Sequence, residues 1–135
     1  MLTEATMKWQ YVILNDRNLI SVRASGTFSA VSFENMIVDI QSDPRWVPGM
    51  DRLIDFSALD LSKTTPGEIR AAAEIHKRYD SRIGHGRVAV VFAGEADLGL
   101  GRMYESFLGP DVTATVKSFQ TADDARQWLA LEVCK

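Results

Sequence analysis

Three features of the sequence predict an α/β fold built on one mostly parallel sheet. Two strand-like runs joined by a four-residue polar connector come first, and helical and extended patterns then alternate to the end. One run, Val88 to Ala93, is apolar at every position, as expected of a parallel strand covered on both faces. The expected order is β-β-α-β-α-β-α-β-α, with five strands and four helices. The N-terminal strand is antiparallel and lies at or near an edge, and right-handed crossovers return the later strands in parallel.

Each element has its own local signal. Trp9 to Leu14 and Leu19 to Ser25 flank Asn15-Asp16-Arg17-Asn18, a connector of hairpin length. In the second run Ile20, Val22 and Ala24 alternate with Ser21, Arg23 and Ser25, so one face is buried and the other wet. A helix over 29–42 follows from Phe33, Met36, Ile37 and Ile40 at i, i+3, i+4, i+7, and Asp43-Pro44 stops it. Leu53 to Phe56 is a short buried strand, and Ala58 to Thr64 reads as a loop. Thr65-Pro66-Gly67-Glu68 combines a threonine cap, a proline at the first helical position and the glutamate of a capping box. Ile69, Ala72, His76, Tyr79 and Ile83 mark that helix's inward stripe until Gly84-His85-Gly86 breaks it. Ala96 to Leu108 is helical, weakened by Gly99 and Gly101 at about 1 kcal/mol each relative to alanine. Val112 to Phe119 alternates as a strand, and Thr121 caps a last helix whose Ala125, Trp128 and Leu129 face inward.

A chain of 135 residues without an internal linker is read as one domain, with 1–7 and 133–135 as mobile ends. A net charge of −3 argues against a nucleic-acid partner, which demands a basic stripe. No apolar run approaches the roughly 20 residues needed to span a bilayer, and the N-terminus lacks a signal-peptide pattern. The single Cys134 excludes an internal disulfide and a cysteine-rich metal site, and a free thiol fits a cytoplasmic location.

The segments Leu53-Ile54-Asp55-Phe56-Ser57, Thr65-Pro66-Gly67-Glu68, Arg87-Val88-Ala89-Val90-Val91 and Leu98 to Glu105, with the tail from Phe119 through Gln127-Trp128-Leu129, carry a family likeness. In this order they resemble the STAS fold of bacterial anti-sigma-factor antagonists, and most of all its small stand-alone SpoIIAA-like group. The resemblance implies a binding or regulatory module with no bond chemistry. The related superfamily includes binders of nucleotides, lipids and regulatory kinases. The family's phosphoacceptor segment, of Asp-Ser-Ser-Gly type, corresponds to Asp55-Phe56-Ser57-Ala58, which keeps one hydroxyl and lacks the glycine.

Candidate site residues follow from position. Asp55 lies toward the carboxyl end of a parallel strand, where ligands of open α/β sheets bind. Its carboxylate either holds a metal, a hydroxyl or an incoming amide, or accepts the amides of its own loop. Ser57, Thr65 and Gly94 belong to the same end. Gly99-Leu100-Gly101-Arg102 lacks the third glycine and the strand-turn context of a dinucleotide loop. His76 and His85 are too separated, with no cysteine beside them, for a zinc site, and neither belongs to a nucleophile motif.

No catalytic residue, metal or cofactor is therefore assigned. The expected function is a non-enzymatic cytoplasmic module that docks a protein or a small apolar ligand; the alternative is a carrier of lipid or another hydrophobic molecule. A homodimer is expected as well, through the wet half of Val88 to Ala93 or through Leu100, Met103, Tyr104 and Phe107, with Trp46 either at its rim or plugging the core. Because the glycine-bearing turn is missing, Ser57 should carry no stoichiometric phosphate. Phosphopeptide analysis of protein from its native cell checks this, and substantial phosphate on Ser57 would return the antagonist switch to first place.

Overall fold

The computed structural model describes residues 6–133, with side chains up to residue 130. Strands β1 (Lys8–Leu14), β2 (Leu19–Thr27), β3 (Asp51–Asp60), β4 (Arg87–Val91) and β5 (Thr115–Phe119) form one sheet in sequential order. β1 pairs antiparallel with β2, and every other neighbour is parallel. The helices are α1 (Ala30–Gln41), α2 (Pro66–Arg78), the single turn α3 (Asp80–Ile83), α4 (Glu95–Leu108) and α5 (Ala122–Val133). The expected mixed sheet and element order are thus present.

Sequential strand order decides where the helices go. A right-handed crossover that always steps to the next strand on the same side places its helix on the same face each time. Phe33, Met36, Ile37 and Ile40 of α1, Ala72 and Ile75 of α2, and Leu98 of α4 accordingly share one core with Ile20, Val22, Ile54, Phe56, Val88 and Val90. α5 takes the opposite face, where Ala125 and Leu129 pack on Leu53, Ala89 and Val91. Arg87 fastens it: its guanidinium donates to the carbonyls of Trp128 and Leu129, lies 5.2 Å from the Trp128 ring centre, and meets Asp51 at 3.5 Å. The second face of β1 and β2 has no helix over it, which accounts for the wet side of β2.

Local signals hold at the helix starts. Ser29 Oγ accepts from the Ser32 amide and Thr65 Oγ1 from the Glu68 amide, each cap worth about 1 kcal/mol. The capping box is only half made, because Glu68 turns away to the amide of Ala30 at 3.4 Å and ties α2 to α1. α2 also stops earlier than expected. At Tyr79 the backbone leaves helical geometry, and α3 adds one separate turn.

Two expectations need correction. Residues 58–60 are strand rather than loop. β2 continues through Gly26 to Thr27 and gives them a partner, after a register shift at which β3 uses one residue more than β2. The extra residue flips the phase of the pleat, so Leu59 and Leu61 turn inward where strict alternation from Phe56 would have turned them out. The N-terminal end is also not free from residue 6 onward, since Thr6 bridges Thr27 and Met7 is buried. The remaining end residues, with the thiol of Cys134, lie outside the described residues.

The glycines of α4 separate into two kinds. A Cβ on Gly101 would stand 2.4 Å from the Phe92 ring and 2.6 Å from Ser118 Oγ, so this glycine lets α4 close on its own sheet. A Cβ on Gly99 would meet nothing within 4 Å. Gly99→Ala should therefore stabilise the fold by about 1 kcal/mol through helix propensity. Gly101→Ala should destabilise it by about 1–3 kcal/mol through overpacking. Urea unfolding of the two variants checks the opposite signs.

Candidate functional site

The expectation that Asp55 ends its strand is corrected by the structure: β3 runs on to Asp60, so Asp55 and Ser57 lie within it, and they serve local structure. Asp55 is level with Val91, the last residue of β4. Its Oδ1 accepts from the Ser57 amide at 2.9 Å and the Ser57 hydroxyl at 2.5 Å. The register shift occurs at this point in β3, and the carboxylate takes up the amide there. Asp55 also borders a cleft of about 260 Å³ on the sheet face that α5 partly covers, with Gln10, Ser21, Arg23 and, from α5, Arg126. Thr65 is the cap of α2, and Gly94 precedes α4, where its carbonyl accepts from the Leu98 amide. Among the described residues no group of three metal-ligating side chains occurs.

The surfaces offered for a dimer are largely occupied from within. The outward half of β4 is under α5. Leu100 and Tyr104 point into the core, and Phe107 lies under the Arg70 guanidinium at 4.2 Å. Met103 is half-buried. Trp46 packs inward on the main core, with the Arg52 guanidinium 4.8 Å over its ring, and is no exposed anchor.

A different site emerges between the sheet and helices α1, α2 and α4. A cavity of about 70 Å³ is walled by Phe33, Met36, Ile54, Phe56, Ala72, Val90 and Phe92 among others, and four polar side chains line it, one of them Ser118 of β5. Arg52 comes from β3, His76 from α2 and Tyr104 from α4. Arg52 and His76 are only 8% and 4% exposed, the two buried polar side chains among the described residues. The Tyr104 hydroxyl and His76 Nδ1 are hydrogen-bonded at 2.8 Å, and Tyr104 also meets Phe33 edge-on at 6.0 Å.

The polar groups are incompletely satisfied. One Arg52 nitrogen donates to the carbonyl of Ile83 at 3.1 Å, while its Nε has no hydrogen-bond partner. Among the described residues no carboxylate lies within ion-pair distance of this guanidinium. Burial pulls the Arg52 pKa down to about 10, which leaves it charged at neutral pH. His76 Nε2 is buried without a hydrogen bond, and Asp80 stands 3.9 Å away. Burial first, and then the charge of Arg52, pull the His76 pKa down to about 4. The ring is therefore neutral at pH 7, and its contact with Asp80 is no ion pair. Burial likewise pushes the Tyr104 phenol well above its ordinary value, so it stays protonated. The site combines one positive charge, a neutral imidazole, a phenol and the Ser118 hydroxyl with walls that are otherwise hydrocarbon.

Arg52 escaped the sequence reading because β3 was begun at Leu53. Started at Asp51, the strand puts Arg52 in step with Ile54 and Phe56, and a charge on the buried face becomes legible. The sequence puts His76 on an inward stripe and Tyr104 on a candidate dimer surface, and nothing in it joins the two.

Comparison with solved structures agrees with this architecture. An uncharacterised DUF3478-family protein of Shewanella loihica PV-4, described as having a SpoIIAA-like fold, superposes with a TM-score of 0.61 at 19% sequence identity. The match covers 96% of this chain and 98% of that one. The chain has a SpoIIAA-like fold. No family model and no curated protein matches it. The SpoIIAA-like frame leaves the cavity to be read on its own chemistry. Within the described residues no helix is long and apolar enough to cross a membrane.

The neutral buried imidazole predicts how stability depends on pH. Unfolded, His76 takes up its proton near pH 6.5; folded, it does so only near pH 4. Acidification through that interval therefore favours the unfolded chain, by on the order of 3 kcal/mol once pH 4 is passed. Asp43, hydrogen-bonded by Arg45, and Asp60, hydrogen-bonded by Ser62, have pKa values pushed below 3.8, so their stabilisation is lost only at lower pH. Urea midpoints between pH 7 and 4 should fall steeply for the natural protein and much less for His76→Gln.

Proposed function

We propose that the protein is a non-enzymatic cytoplasmic module that binds a small, largely apolar molecule in the cavity between its sheet and helices α1, α2 and α4. The observation that carries this reading is a hydrocarbon-walled cavity lined by the buried guanidinium of Arg52, which has no carboxylate within ion-pair distance among the described residues. Buried polar groups in folded proteins are nearly always paired, and each orphan costs about 1–3 kcal/mol. A buried cation on the wall of a cavity without a counter-charge is a group a ligand can pair.

Of the occupants expected from the sequence, this favours the small ligand over a docked protein. It also limits the carrier alternative. An apolar cavity of roughly 150 Å³ takes up benzene. The present cavity is about half that size, so a long lipid chain does not fit it in this conformation. The role is regulatory in the sense that occupancy stiffens the α1–α2–α4 layer and changes no bond.

Ala72, on α2, lines the cavity and is buried. Ala72→Leu should fill the space and weaken binding at least about tenfold, a loss of about 1.4 kcal/mol. Ligand-observed NMR with butanol and butyrate, on the natural protein and this variant, checks it. Absence of any binding to the natural protein, or binding unchanged by the filled cavity, would overturn the reading.

A further inference from the structure

We propose that the ligand is a small organic monoanion, a short-chain monocarboxylate, held by its carboxylate on Arg52 with its hydrocarbon among the walls of the cavity. This rests on the binding reading above and adds the ligand's charge and size.

The charge follows from what the guanidinium lacks. Arginine is almost never buried without a carboxylate or phosphate partner, because water solvates the ion far better than hydrocarbon does. Here the buried guanidinium has a carbonyl on one nitrogen and an aromatic face beside it, and its Nε–H is unpartnered. Neither neighbour supplies a negative charge. Charge-assisted hydrogen bonds from guanidinium to carboxylate are the strongest this side chain makes.

The number of charges follows from the walls. Arg52 is the one cation among the cavity's lining residues, since His76 beside it is neutral and Tyr104 keeps its proton. A dianion such as hydrogen phosphate would bring a second negative charge into a site with nothing to balance it. A monoanion matches the one cation of the lining. The Tyr104 hydroxyl, hydrogen-bonded to His76 Nδ1 at 2.8 Å, belongs to the same lining. Asp80, at 3.9 Å from Nε2, is held by the amide and hydroxyl of Thr113.

The size follows from the volume. If roughly 150 Å³ accommodates the six carbons of benzene, about 70 Å³ holds three or so non-hydrogen atoms, little more than a carboxylate. Modest relaxation of the surrounding side chains extends this to a chain of about two to four carbons. Ligand-efficiency limits for so few atoms keep the dissociation constant between about micromolar and millimolar.

The test titrates the full chain at pH 7 with acetate, butyrate and octanoate, with the matched alcohols, and with chloride and phosphate. Butyrate should bind about tenfold or more tighter than butanol, which corresponds to one charge-assisted hydrogen bond. Octanoate should bind more weakly than butyrate, and phosphate more weakly still. Arg52→Met should lower butyrate to the level of butanol on the same variant, whereas Arg52→Lys should retain part of the preference. If Arg52→Met does not fold, Arg52→Lys and the acid-to-alcohol ratio of the natural protein decide. Butanol bound as tightly as butyrate would overturn the carboxylate assignment and leave the binding reading intact. Phosphate or chloride bound as tightly as butyrate would overturn it as well, marking a simple anion site. If neither alcohol nor acid binds, the binding reading itself fails.

Discussion

The handedness of the crossovers is the constraint on which the rest of this structure depends. Strands β2 to β5 are laid down one after another in a single direction across the sheet. With every crossover right-handed, α1, α2 and α4 must all fall on one face. That face is built from three helices crossing four parallel strands. Only α5, which follows the last strand, is free to take the other side. The uneven layers explain the two sheet faces together: one is wholly covered, and the other is covered over β3 to β5 and open over β1 and β2.

The same constraint creates the cavity. Helices α2 and α4 descend from different strands, and Gly101 lets α4 approach the sheet where a methyl group would strike Phe92 and Ser118. Tyr104 then reaches His76 on α2, and Arg52 rises from β3 beneath both. None of the three is near another in the chain. Burying them costs desolvation energy that an all-apolar core would not. A core kept polar at that cost is the physical ground for placing function there and not at the register shift of β3, where Asp55 and Ser57 satisfy each other.

Much of the fold was legible because its signals are local. Ser29, Thr65 and Thr121 lie next to the backbone amides they cap, and their helices begin where these residues sit. The alternation of Ile20, Val22 and Ala24 reads directly as a half-buried strand. The misses were of another kind. The sequence reads Ala58 to Thr64 as a loop, whereas residues 58–60 are the end of β3. Its strand character depends on β2 offering a partner up to Thr27, and on one extra residue resetting the pleat. The wide apolar stripe of α4 suggested a second subunit. In the structure Leu100 and Tyr104 face the core, and Phe107 is covered by Arg70.

By itself the sequence determined the order of elements, their capping, the parallel sense of the later strands and the absence of a metal or nucleophile motif. Those properties depend on residues within a few positions of one another, where periodicity, caps and turns act. Only the tertiary structure decided that Arg52 is buried without a counter-charge, that His76 is neutral and bound to Tyr104, and that a cavity joins them. Charge pairing and burial are properties of three-dimensional neighbours. An arginine between an aspartate and a leucine looks the same in the sequence whether its guanidinium ends in water, on a carboxylate or against hydrocarbon.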